Sequence, residues 1–71
     1  MKSVIEVTIN GDIHKTEAGQ NLAQLLEGLQ LDPLKVAVER NLEIVPKTTY
    51  QNVTVENGDR LEIVHFIGGG K

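Results

Sequence analysis

Cysteine is missing from this chain of 71 residues. That excludes disulfide staples and cysteine-ligated zinc, two devices that often hold domains of this size together, and it suits a reducing compartment. Aromatic side chains are nearly missing too, with Tyr50 and Phe66 the only ones. A single core near the lower size limit for independent folding must therefore be aliphatic. Ser3 is the only serine, so a nucleophile–base dyad has little to draw on. No apolar run approaches the ~20 residues of a membrane-spanning helix. The N-terminal alternation Val4-Ile5-Glu6-Val7-Thr8-Ile9 is not the continuous apolar stretch of a signal peptide. Basic residues are few and dispersed, and the formal net charge is -3. Nucleic-acid binding needs clustered Lys and Arg, so the charge balance argues against that class. The expectation is one soluble, cytoplasmic domain with neither a nucleic-acid nor a membrane partner.

What is present is ordered punctuation between short apolar runs. Residues 3–9 alternate, which places Ile5, Val7 and Ile9 on one face of a strand. Asn10-Gly11 tolerates the two positive φ angles of a type I′ turn, and residues 13–16 read as the returning strand of a hairpin. After a loop at 17–20, Asn21 can cap a helix with apolar positions at Leu22, Leu25, Leu26 and Leu29, and Gln24 completes a loose capping box. Gly28 weakens the last turn, and Pro33 lies beyond the helix. Val36-Ala37-Val38 opens a third strand, with Glu39-Arg40-Asn41 as its exit and turn. Residues 42–45 form a short strand stopped by Pro46, which suits a sheet edge. Residues 48–55 carry weaker signals, with a single helical turn near 49–52. Asn57-Gly58-Asp59 marks a turn, and 60–66 is the last and most apolar strand.

The order strand, strand, helix, strand, short strand, strand constrains the topology. One helix can cover one face of a mixed sheet of four to five strands, burying the leucine stripe against alternating Val and Ile. With a hairpin first and a right-handed crossover next, the last strand lies beside the first. That α+β arrangement is the β-grasp, or ubiquitin-like, fold. It makes the first and last strands central. The division expected is a β-grasp domain over 1–67 and a flexible C-terminal tail over 68–71.

Enzymatic chemistry has few footholds. His14 and His65 lack partners at ligand spacing, so neither a metal nor a bound cofactor is expected. Glu39, Glu43, Glu56, Asp59 and Glu62 read as solvated faces and turn residues. Gly58 is a turn glycine, because no phosphate-loop pattern surrounds it. The tail Gly68-Gly69-Gly70-Lys71 stands out instead. Glycines without Cβ atoms can thread a narrow site that any side chain would block. A C-terminal carboxylate on such a stalk becomes an acylating agent once ATP has adenylated it, with the ATP site, magnesium and catalytic groups on the partner.

In order along the chain, Asn10-Gly11, the Leu22-Leu25-Leu26 helix, Val36-Ala37-Val38-Glu39-Arg40-Asn41, Glu43-Ile44-Val45-Pro46-Lys47, Tyr50, Gly58-Asp59 and Glu62-Ile63-Val64-His65-Phe66-Ile67-Gly68-Gly69-Gly70 form a pattern. The chain so read resembles the ubiquitin-like sulfur carrier family, most closely its thiamine-biosynthesis group, ThiS. The resemblance implies a sulfur donor and not an enzyme. A ThiF-like enzyme would adenylate the Gly70 carboxylate, and sulfur from a cysteine desulfurase would replace AMP to leave a thiocarboxylate. A ThiG-like thiazole synthase would then take that sulfur into the thiazole ring. Phe66, Gly68 and Gly69 would contact these partners.

Lys71 departs from the family pattern, whose tails end at glycine. While it is present, Gly70 has an amide in place of a free carboxylate, so the expectation is that Lys71 is trimmed or is an expression remnant; an unreactive relative is the remaining alternative. Three other readings stand beside the main one. They are a molybdopterin-synthase small-subunit-like carrier, whose tails usually carry a proline that is lacking here, a β-grasp module that only binds partners, and a protein-conjugating modifier.

Overall fold

The computed structural model describes residues 3–65. Strand β1, Val4–Ile9, turns back into β2, Asp12–Glu17, in a register that pairs Ile9 with Asp12. Between them Asn10 and Gly11 have φ angles of 49° and 88°, the left-handed pair a type I′ turn requires. Helix α1, Leu22–Gly28, begins at Asn21, whose side chain accepts from the Gln24 N–H while the Gln24 side chain accepts from the Asn21 N–H, a complete capping box. The helix ends through Gln30, in the left-handed region at φ 65°, and the Leu31 N–H donates back to the Leu26 carbonyl. Gly28 thus closes the helix, while Gln30 makes the reversal.

A 3-10 turn over Pro33–Lys35, capped by the Asp32 side chain, leads into β3, Val36–Arg40. The sequence reading placed the exit of this strand at Glu39-Arg40-Asn41. In the structure Arg40 is still paired, opposite both Glu43 and Leu61, and the turn is Asn41-Leu42 with φ angles of 52° and 73°. Strand β4, Glu43–Val45, is accordingly one residue shorter than expected. The ambiguous segment after Pro46 is a 3-10 stretch, Lys47–Asn52, followed by a bridge between Asn21 and Thr54 that ties it to the start of α1. Strand β5, Arg60–His65, completes the described chain.

The five strands form one sheet in the order β2-β1-β5-β3-β4. β1 and β5 are parallel, and the other neighbours are antiparallel. Helix α1 covers one face, as the leucine spacing predicts. Leu22, Leu26, Leu61, Val7, Val36 and Val38 are almost wholly buried there, each worth about 1.5–3 kcal/mol by removal from water. Tyr50 joins this core and donates its hydroxyl hydrogen bond to the Val36 carbonyl at 3.1 Å. Burial pushes its phenol pKa up. Among the described residues no helix is long and apolar enough to cross a membrane.

Candidate functional site

Phe66, Gly68, Gly69 and Gly70, together with Lys71 and the expected tail of 68–71, lie outside the described residues. The structure does describe the strand that leads to them. β5 is the middle strand of five, paired with β3 as far as His65 opposite Val36.

β5 is fixed at its start by Asp59. Read from sequence as a solvated turn residue, Asp59 is in the turn but only 5% exposed. Its carboxylate accepts from Arg40 Nε at 2.8 Å, from Asn41 Nδ2 at 3.2 Å and from the Glu56 N–H at 2.9 Å. Burial alone would raise its pKa. The hydrogen bonds from Glu56, Arg40 and Asn41, with the Arg40 charge, outweigh that and hold it below the usual carboxylate value. The other four carboxylates read as solvated, Glu39, Glu43, Glu56 and Glu62, are exposed as expected. The spacing of Arg40 and Asp59 in the sequence carries no sign of their contact, which exists because β3 and β5 are neighbours.

Asparagine side chains then extend the ladders, Asn57 just before β5 and Asn41 and Asn10 along it where β3 and β1 turn away. Asn57 Oδ1 accepts from the Glu6 N–H of β1, and Asn41 Oδ1 accepts from the Arg60 N–H. At the other end, Asn10 Oδ1 accepts from the Ile63 N–H at 2.8 Å and Asn10 Nδ2 donates to the Ile63 carbonyl at 3.1 Å.

The face of the sheet opposite α1 is open. Ala37 pairs with Val64, and Glu39 pairs with both Ile44 and Glu62. Ala37, Val38, Glu39, Ile44 and Val64 line a shallow cleft of about 130 Å³. Ile44 and Val64 are 76% and 61% exposed, and the exposed carboxylates of Glu39 and Glu62 lie beside them on the same face. This patch was not singled out from sequence. The available signal was an apolar residue at both parities of a strand, as in Ile44-Val45 and Ile63-Val64, where only one of each pair can face the helix.

His14 lies half-buried on β2 and His65 exposed on β5, with β1 between those strands. Among the described residues no group of three or more His, Cys, Asp or Glu is placed to hold a metal ion.

A model of the ThiS family matches residues 7–70. The chain belongs to the ThiS family. The sulfur carrier protein ThiS of Bacillus subtilis is 41% identical over 63 residues, which are 87% of this chain and 96% of that one. A thiazole synthase of Paramagnetospirillum magneticum is 53% identical over 66 residues, 93% of this chain but 20% of that protein. The chain thus spans about a fifth of the length of the thiazole synthases it matches. The crystal structure of ThiS from Geobacter metallireducens superposes with a TM-score of 0.76 at 33% identity, covering 93% of this chain and 100% of that one. The ThiS β-grasp and the architecture seen here are the same fold.

Proposed function

We propose that this chain is a sulfur carrier of thiamine biosynthesis, a protein-borne donor and not a catalyst, with Gly70 as the residue that reacts. The observation that carries the proposal is the central position of β5, whose sequence continues into Gly68-Gly69-Gly70. A ThiF-like enzyme supplies ATP and magnesium. Once Lys71 is absent, a Gly70 carboxylate oxygen attacks the α-phosphorus of ATP, forming an acyl-adenylate and releasing pyrophosphate. The terminal sulfur of a persulfide formed by a cysteine desulfurase then attacks the acyl carbon and displaces AMP, giving an acyl disulfide. A second thiol on the partner side cleaves its S–S bond, releasing the Gly70 thiocarboxylate as a disulfide forms. A ThiG-like thiazole synthase receives the sulfur. In the matching thiazole synthases a carrier-like segment is part of the same chain, which supports that enzyme as the acceptor. Phe66, Gly68 and Gly69 line the path into each partner, and the Ala37-Ile44-Val64 patch docks the body on the activating enzyme.

The test compares the chain ending at Gly70, the chain ending at Lys71, and a Gly70→Ala form of the shorter one. With a ThiF-like enzyme, the Gly70-ending form is expected to support ATP–pyrophosphate exchange and then to exchange one oxygen for sulfur by intact mass. The Lys71-ending form, with Gly70 held in an amide, gives neither. Gly70→Ala slows exchange because the added Cβ narrows the backbone's range. Equal exchange by all three, or none by the Gly70-ending form, refutes the carrier reading. Binding without exchange would favour an interaction module, and isopeptide adducts on lysines a protein modifier.

A further inference from the structure

The described end of β5 is held on its β1 side by a single side chain. The Thr8 N–H donates to the Asp59 carbonyl and the Asn10 N–H to the Leu61 carbonyl, each at 2.9 Å. Continuing this parallel series by two residues would put the next strand donor opposite the Ile63 carbonyl. The backbone is not there to provide it, because the chain reverses at Asn10-Gly11 into β2. The Asn10 side-chain amide takes that place, giving a carbonyl to the Ile63 N–H and an N–H to the Ile63 carbonyl. The two contacts join residues 53 apart in sequence. Asn10 therefore does two jobs, since the left-handed turn favours its residue type and the same side chain extends the ladder.

We infer that Asn10 is a positioning residue for delivery of the C-terminus. This rests on the carrier reading above. Between His65 and Gly70 lie the residues that must enter the partner's site, and on the β3 side the last described pair is Val36 with His65. Clamping Ile63 on its other side as well fixes the plane and direction in which β5 leads out of the sheet. The docked body then presents Gly70 to ATP from a fixed root. Loss of the clamp leaves the docking face intact, so it changes turnover and not binding. A purely structural amide would change stability alone.

The variant that isolates the clamp is Asn10→Gly, which keeps a residue suited to the left-handed turn while removing the amide. Asn10→Asp keeps the turn and the acceptor for the Ile63 N–H but lacks the donor. Both are assayed as chains ending at Gly70, well below their melting temperatures, with a ThiF-like enzyme. Hydrogen exchange at the Ile63 amide is expected to accelerate in Asn10→Gly. Its kcat for ATP–pyrophosphate exchange should fall at least about tenfold with KM within about twofold, as expected when a reacting group is misplaced but still bound. Asn10→Asp should fall between it and the parent in both readouts. Wild-type kcat in Asn10→Gly overturns the inference, as does unchanged Ile63 exchange or a loss confined to KM. If the parent itself is not activated, the carrier reading falls and the positioning role with it. Activation of the parent with an unaffected Asn10→Gly overturns the positioning role alone.

Discussion

Asp59 and Arg40 illustrate at the scale of single residues how the origin of β5 is set. The carboxylate is nearly buried, whereas the Arg40 side chain is 30% exposed, so the guanidinium retains some water while the carboxylate depends on its protein donors. Its folded-state pKa is lower than in the unfolded chain. The stabilisation from ionised Asp59 is therefore fully present above the unfolded value, near ~3.9, and is lost as pH falls through the lower folded value. Acid titration of the melting temperature should show wild-type stability falling through this range, and Asp59→Ala should flatten that part of the curve. At neutral pH, Asp59→Ala is expected to cost roughly 1.5–3 kcal/mol, because donors at Glu56, Arg40 and Asn41 lose a charged acceptor. Identical acid profiles for the two proteins would remove Asp59 from the account. Leu26 belongs at the same scale. Its side chain has no exposed surface, and Leu26→Ala should cost about 2–5 kcal/mol in chemical denaturation, a large share of a small domain's stability.

Elements were legible where a local pattern and its punctuation agreed. The first hairpin and α1 have both, in Asn10-Gly11 and in the Asn21–Gln24 box, and the structure reproduces them. The limits of β3 and β4 were not legible, because Asn41-Leu42 carries no glycine and Leu42 looks like a strand residue. It occupies φ 73° and is 91% exposed, and the turn is imposed by pairing of Arg40 with Glu43. The helix exit shows the same conflict between residue type and backbone. Gly28 drew attention in the sequence, whereas Gln30 is the left-handed residue at φ 65°. Gln30→Gly should therefore raise stability by roughly 0.5–1 kcal/mol, the relief of the left-handed backbone being partly offset by greater unfolded-chain entropy. An unchanged or lower denaturation midpoint would show that Gln30 is held there by contacts that compensate. Gly68, Gly69 and Gly70 were singled out from composition and lie outside the described residues. The Asp59 cluster, the Asn10 clamp and the open patch were not legible, since each joins residues that only the sheet order brings together.

Across the whole molecule, charge and shape divide the docking problem. The helix-covered face is used by the core, and the opposite face offers an apolar cleft flanked by Glu39 and Glu62 on a chain of net charge -3. An extended peptide gains only ~3.3–3.6 Å per residue, so the glycine tail alone cannot orient itself in a partner's site without a docked body. A peptide of residues 65–70 should accordingly be a much poorer substrate for a ThiF-like enzyme than the whole chain ending at Gly70. The acidic flank predicts a basic surface on that enzyme and an association rate that falls as salt is raised from about 0.05 to 0.5 M, because exposed charges steer encounter and are screened. The cleft predicts a different signature. On the docking proposed for this face, Ile44→Glu puts a charge into the contact, so it should weaken binding mainly through faster dissociation. At 76% exposure Ile44 contributes little to the core, and the variant should melt close to the parent. Stopped-flow association and dissociation measured across salt for both proteins separate the two effects. A salt-independent association rate would remove the electrostatic contribution. Unchanged dissociation for Ile44→Glu would move the docking surface off this face of the sheet.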